Sequence, residues 1–152
     1  MAPRQFQFRL QSVLEYKQRQ EEEQQRKLAE LQAVLIEEEN TLASLKRFRQ
    51  KRLREMSEKS QAGAVNVEEL KMYHEQQRKL EADIAAQAVK VEQAKAAVDE
   101  QMLKLLEARQ EVMTYEKLKE KHYEDYLAQI NLEEQKLIDE IATTKYNREN
   151  PL

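Results

Sequence analysis

Two histidines and 29 carboxylates are the side chains in this chain that could do chemistry. Zinc hydrolysis on a helix needs two histidines four residues apart with a glutamate between them. His74 stands in "HEQQR", which lacks the second histidine, and His122 is far away in sequence. Acid–base catalysis needs a carboxyl group whose pKa is raised by burial or by a like charge. Carboxylates on long charged helices face water and meet neither condition. A phosphate-cradling loop needs several glycines, so that backbone N–H groups can approach the ligand. Gly63 is the only glycine in 152 residues. With no cysteine there is no disulfide, thiolate metal site or cysteine nucleophile. The expectation is a protein that is not an enzyme, uses no cofactor, and acts through its surfaces.

Those surfaces must be carried by helices. Charged residues make up 36% of the chain, and its two prolines, Pro3 and Pro151, lie at the ends. Turns mostly need Gly, Pro, Asn, Asp or Ser, so only one or two are expected. The polar composition alone would also suit a disordered chain. Regular apolar spacing decides against that. From Leu70, one heptad series runs Leu70, Gln77, Ile84, Val91, Val98, Leu105, Val112. Its companion runs Tyr73, Leu80, Gln87, Ala94, Gln101, Ala108, Tyr115. The polar exceptions are all glutamine. Such spacing makes a coiled-coil seam. The first half repeats it with Leu14, Glu21, Leu28, Leu35, Leu42, Arg49, Met56 and with Leu10, Lys17, Gln24, Leu31, Glu38, Leu45, Arg52.

The two seams are separated by "SQAGAVNVEEL", Ser60 to Leu70. Gly63 can adopt the left-handed conformation that ends a helix. Asn66 can cap the next one, with Glu69 at the capping-box position and Val65 and Leu70 at the staple positions. A short connection makes the helices antiparallel neighbours. The expected fold is all-α: a single elongated domain over residues 1–152, forming a long antiparallel two-helix coiled-coil hairpin with a C-terminal helical overhang. Helix 1 is expected over about 5–58, the corner over about 59–66 and helix 2 over about 67–146. At 1.5 Å per residue the helices would be roughly 80 Å and 120 Å long. Pairing residues whose numbers sum to about 125 sets Gln101 near Gln24 and Leu80 near Leu45. A shift of half a heptad is the alternative.

The ends differ from the middle. Phe6, Leu10, Val13, Leu14 and Lys17 share one helical face, and Phe8 falls off it on the solvent side. Tyr123, Leu127, Ile130, Leu137 and Ile141 form a stripe one residue out of step with the seam, where supercoiling is expected to relax beyond the partner helix. An uncovered apolar stripe usually marks a binding surface. The basic run "KRFRQKRLR", Lys46 to Arg54 and including Arg47, Arg49 and Arg52, suits a solvated face, an acidic partner or lipid head groups. Net charge is −3, which argues against general nucleic-acid binding. No run approaches the roughly 18 apolar residues that span a bilayer, and the N-terminus lacks the apolar core of a signal peptide.

At both ends the sequence resembles the FliJ family, the coiled-coil protein of the bacterial flagellar type III export apparatus. The residues that carry the resemblance are the opening Phe6–Leu14 pattern with Glu21–Glu23, then "YEKLKEKHYEDYL" (Tyr115 to Leu127) and "EEQKLIDEIATTKY" (Glu133 to Tyr146). Asp139, Glu140 and Ile141 fall in its most specific piece, "DEIA". The resemblance implies a protein of flagellum biogenesis and motility, similar to the central stalk of rotary ATPases. It would bind and stimulate a hexameric export ATPase and link it to the membrane export gate. Handling export chaperones is a further implication. It would be cytoplasmic, peripherally associated with the cytoplasmic face of the membrane at the flagellar base. The expected partner-binding residues are Phe6, Phe8, Leu10, Leu14, Tyr123, Leu127, Ile130, Leu137, Asp139, Glu140 and Ile141 at the terminal end. Arg47, Arg49 and Arg52 are expected near the corner. A generic coiled-coil scaffold or a related secretion-system stalk is the alternative.

Overall fold

In a computed structural model that describes residues 5–150, the chain turns back on itself at Gly63, whose φ is 69°. Two hydrogen bonds close the turn. Gly63 N–H donates to the Ser60 carbonyl (3.1 Å) and Ala64 N–H to the Lys59 carbonyl (3.0 Å). This pair is the Schellman end of a helix, and the left-handed residue in it favours glycine. Three residues later the Asn66 side-chain oxygen accepts from the Glu69 N–H at 2.8 Å, capping the next helix. Helix α1 is Gln11–Gln61 and helix α2 is Val67–Glu149. They pack against each other as a hairpin, with no strand among the described residues.

Burial follows the heptads. From Tyr73 to Tyr115, every seam position of α2 is buried or half-buried, and so is every seam position of α1 from Leu10 to Met56. The chain divides into two compact units. One holds the described residues up to Glu21 with those from Glu107 onward; the other is Glu22–Leu106.

In the second unit two polar layers fix the register. Gln101 and Gln87 are both buried. The Gln101 amide donates to the Gln24 backbone carbonyl at 3.1 Å and to its side-chain oxygen. Gln87 does the same to Glu38, through the backbone carbonyl at 3.0 Å and the carboxylate. Both pairs sum to 125, so the unshifted register is the observed one. A half-heptad slip would set Gln87 against Leu35 or Leu42, neither of which has a side-chain acceptor, at a cost of one or more hydrogen bonds.

In the first unit the core is Leu14, Phe8 and Val112, with Phe6, Leu10, Tyr115 and Leu118 around it. Leu14 is 2% exposed and Phe8 6%. Two sequence expectations are corrected here. Helix α1 begins at Gln11, not near residue 5, and Phe8 lies in the core, not on the solvent side. A non-helical approach turns the Phe8 ring inward, and Gln11 N–H donates back to the Phe8 carbonyl at 3.1 Å as the helix starts. Helical arithmetic cannot place a residue that precedes the helix.

Candidate partner-binding site

The non-helical segment before α1 forms a strap on α2. The Phe6 ring meets Tyr123 edge-on at 5.2 Å and Tyr126 at 5.4 Å, and the two tyrosine rings lie 6.4 Å apart. The Phe8 ring meets His122 at 5.5 Å. Each geometry falls within the range that aromatic pairs favour. Below the strap, Lys17 bonds Glu111 at 2.9 Å and Arg109 bonds Glu21 at 3.2 Å across the helix pair. The Glu111 carboxylate, by accepting that bond, holds the Lys17 ammonium above its ordinary pKa against an opposing desolvation effect.

The strap also corrects the expected phase change. Lys119, His122 and Tyr126 are half-buried, in step with the earlier seam. The seam therefore continues past the start of α1, because Phe6 and Phe8 cover it. Tyr123 and Leu127 stay largely open, and Ile130 is half-buried. Beyond Ile130 no described residue covers α2. Every residue from Asn131 to Asn150 is exposed, among them Leu132, Leu137, Ile138, Ile141 and Tyr146. A shallow recess there is lined by Leu137, Glu140, Ile141, Thr144, Lys145 and Arg148. Gln135 donates to Asp139 at 3.2 Å on the same helix.

The terminal candidates thus divide. Phe8 and Leu14 are core, and Phe6 and Leu10 are half-buried supports. Tyr123, Leu127, Leu137, Asp139, Glu140 and Ile141 are open to a partner. Sequence reasoning missed Leu132, Ile138 and Tyr146 as exposed apolar groups, and Tyr126 as a seat for Phe6. The alternation Phe6-x-Phe8 was the available signal for the strap. Period two is the pattern of non-helical chain laid on a surface.

In the other unit, Arg47 is exposed and donates to Ser44 at 3.1 Å. Arg49 is half-buried. Arg52 bonds Glu55 at 3.0 Å and Gln76 of α2 at 3.1 Å, so it spans the helix pair. Leu45, Phe48 and Leu80 line a groove of about 670 Å³ beside it, with Lys51, Lys79 and Asp83 at its edge.

No group of three or more His, Cys, Asp or Glu among the described residues is placed to hold a metal ion. No described helix is long and apolar enough to cross a membrane. The arrangement offers helix faces and shallow grooves, which suit macromolecular surfaces. A model of the family described as "Flagellar FliJ protein" matches residues 6–151. The chain belongs to the FliJ family. Membership in FliJ makes it a component of the flagellar export apparatus. The match begins at Phe6, the first residue of the aromatic strap, so the strap lies within the FliJ pattern. Comparisons with curated proteins and with solved structures return no match.

Proposed function

We propose that this FliJ chain is a non-catalytic stalk and regulator of flagellar protein export, which binds and stimulates the hexameric export ATPase through its terminal unit. The observation that carries the reading is the uncovered end of α2. Leu132, Leu137, Ile138, Ile141 and Tyr146 lie exposed on the part of α2 that no other described residue covers. Exposed apolar groups in such number on one segment are the mark of a protein-binding surface. A two-helix cross-section of roughly 20 Å, from helices of 10–12 Å, would fit the pore of a ring. On this reading the corner unit, with Arg47, Arg49 and Arg52, faces the membrane export gate at the cytoplasmic face. Export chaperones are further partners.

Leu137→Glu with Ile141→Glu tests the assignment. Both side chains are exposed, so helicity by circular dichroism should be unchanged. Binding to the cognate export ATPase should fall at least tenfold. Undiminished binding by a helical double variant would refute the assignment of this end. If the same substitutions instead dissolve a stable dimer in sedimentation, the stripe is a self-association surface and the scaffold reading replaces this one.

A further inference from the structure

We infer that the level of the hairpin around residues 46–54 and 71–79 is a docking site for an anionic lipid surface. The inference stands apart from the ATPase reading and does not depend on it. From Asn40 to Arg54 there is no acidic residue, while Lys46, Arg47, Arg49, Lys51, Arg52 and Arg54 are cationic. The observed register sets residues 71–79 of α2 against this run. That stretch adds Lys71, Arg78 and Lys79, with Glu75 as its sole carboxylate. Nine of the chain's 26 cations and one of its 29 acids therefore share one level.

These cations are not consumed by ion pairs. Lys17, Arg26, Lys95, Lys104 and Arg109 all pair with carboxylates elsewhere. Among the described residues at this level, only Arg52 does so. All but Arg49 and Arg52 are exposed. Acids more than about 8 Å away are screened at physiological salt, and that is about five residues along a helix. Within that reach of its ends the patch meets Glu55, Glu58, Glu68, Glu69, Glu81 and Asp83, and with Lys59 the widened window holds ten cations against seven acids, so it stays net positive in a chain whose overall charge is −3. Clusters of four to eight Lys or Arg are the usual footprint of acidic lipid recognition.

Apolar side chains favour a bilayer over other polyanions. Phe48, Leu53 and Met72 are exposed at the same level as the cations. The groove beside them joins Leu45, Phe48 and Leu80 to Lys51 and Lys79. A lipid interface accepts both kinds of group, whereas a nucleic-acid backbone offers nothing to Leu53 or Met72. Single-stranded bases would need several stacking rings, and among the described residues at this level only Phe48 and the His74 imidazole are exposed.

The chain contains no tryptophan, so Phe48→Trp supplies a single fluorescent reporter. With the full chain, its emission should shift to the blue on vesicles of phosphatidylcholine mixed with phosphatidylglycerol, and not on phosphatidylcholine alone. Binding should weaken as salt rises. Lys46→Gln, Arg47→Gln, Lys51→Gln and Arg54→Gln together should weaken it about six-hundredfold, at roughly fivefold for each of the four cations. Neutralising Lys90, Lys95, Lys104 and Lys117, an equal change of charge outside the patch, should cost less than threefold. Absence of binding to the mixed vesicles would overturn the inference, as would equal losses in the two quadruple variants. Equal affinity for duplex DNA at the same salt would show a general polyanion patch and likewise overturn the lipid assignment.

Discussion

Leu14 was a candidate for both core and partner contact, and the structure makes it the most enclosed of the buried residues, 2% exposed against Phe8 and Val112. Leu14→Ala removes the equivalent of about three buried methylenes, near 2.4 kcal/mol at about 0.8 kcal/mol each. Core Leu→Ala changes cost about 2.7–5 kcal/mol when a cavity persists. A two-helix seam has no outer layer to hold a cavity open, so the low end applies, about 2.5 kcal/mol. Leu28 occupies the same heptad position but is half-buried in the other unit, so Leu28→Ala should cost about half as much, roughly 1.2 kcal/mol by the same scale. Urea unfolding followed by far-ultraviolet circular dichroism compares the two. ATPase binding should fall for Leu14→Ala only under conditions where the terminal unit is partly unfolded. Equal destabilisation by the two variants, or a Leu14→Ala effect below about 1 kcal/mol, would refute the claim that the strap and the seam form a true core there.

Three further predictions concern the corner, the polar layers and the ion pairs. A methyl group at Gly63 would meet nothing within 4 Å, so Gly63→Ala should cost only the left-handed backbone, about 1 kcal/mol; Gly63→Asn should cost less, both read by thermal unfolding. Gln101→Ala removes both bonds to Gln24 and should destabilise by about 2 kcal/mol, with hydrogen exchange rising around Gln24 and Gln101 first. Because the Glu111 bond raises the folded-state pKa of Lys17, its stabilising effect is full below the ordinary lysine value of 10.5 and is lost as pH rises through the folded value. Glu111→Gln should return the Lys17 titration, followed by nuclear magnetic resonance, to the ordinary range.

The hairpin was legible because burial in a coiled coil is periodic, and periodicity is a property of sequence. Leu70 to Tyr115 could be read residue by residue, and Gly63 with Asn66 announced the corner through backbone chemistry that few other residues can supply. Register was harder. An apolar layer accepts any apolar partner, so Leu and Val leave the sliding coordinate open. Only the glutamines distinguish one alignment from another, and a glutamine does not reveal in sequence whether it faces Gln24 or water. Sequence periodicity predicts helix over the strap because Phe6, Leu10 and Leu14 fit a four-residue spacing. Its true cue was the shorter alternation of Phe6 and Phe8. The stripe beyond Ile130 could be located but not its neighbours, because Leu132, Ile138 and Tyr146 follow no single period once no partner helix selects a face.

The most direct test of the central claim is ATP hydrolysis by the cognate flagellar export ATPase, with and without this chain, at ratios well below one chain per ATPase subunit. The account predicts stimulation that saturates substoichiometrically and is lost with Leu137→Glu and Ile141→Glu. No stimulation, together with no co-sedimentation of the two proteins, would contradict it.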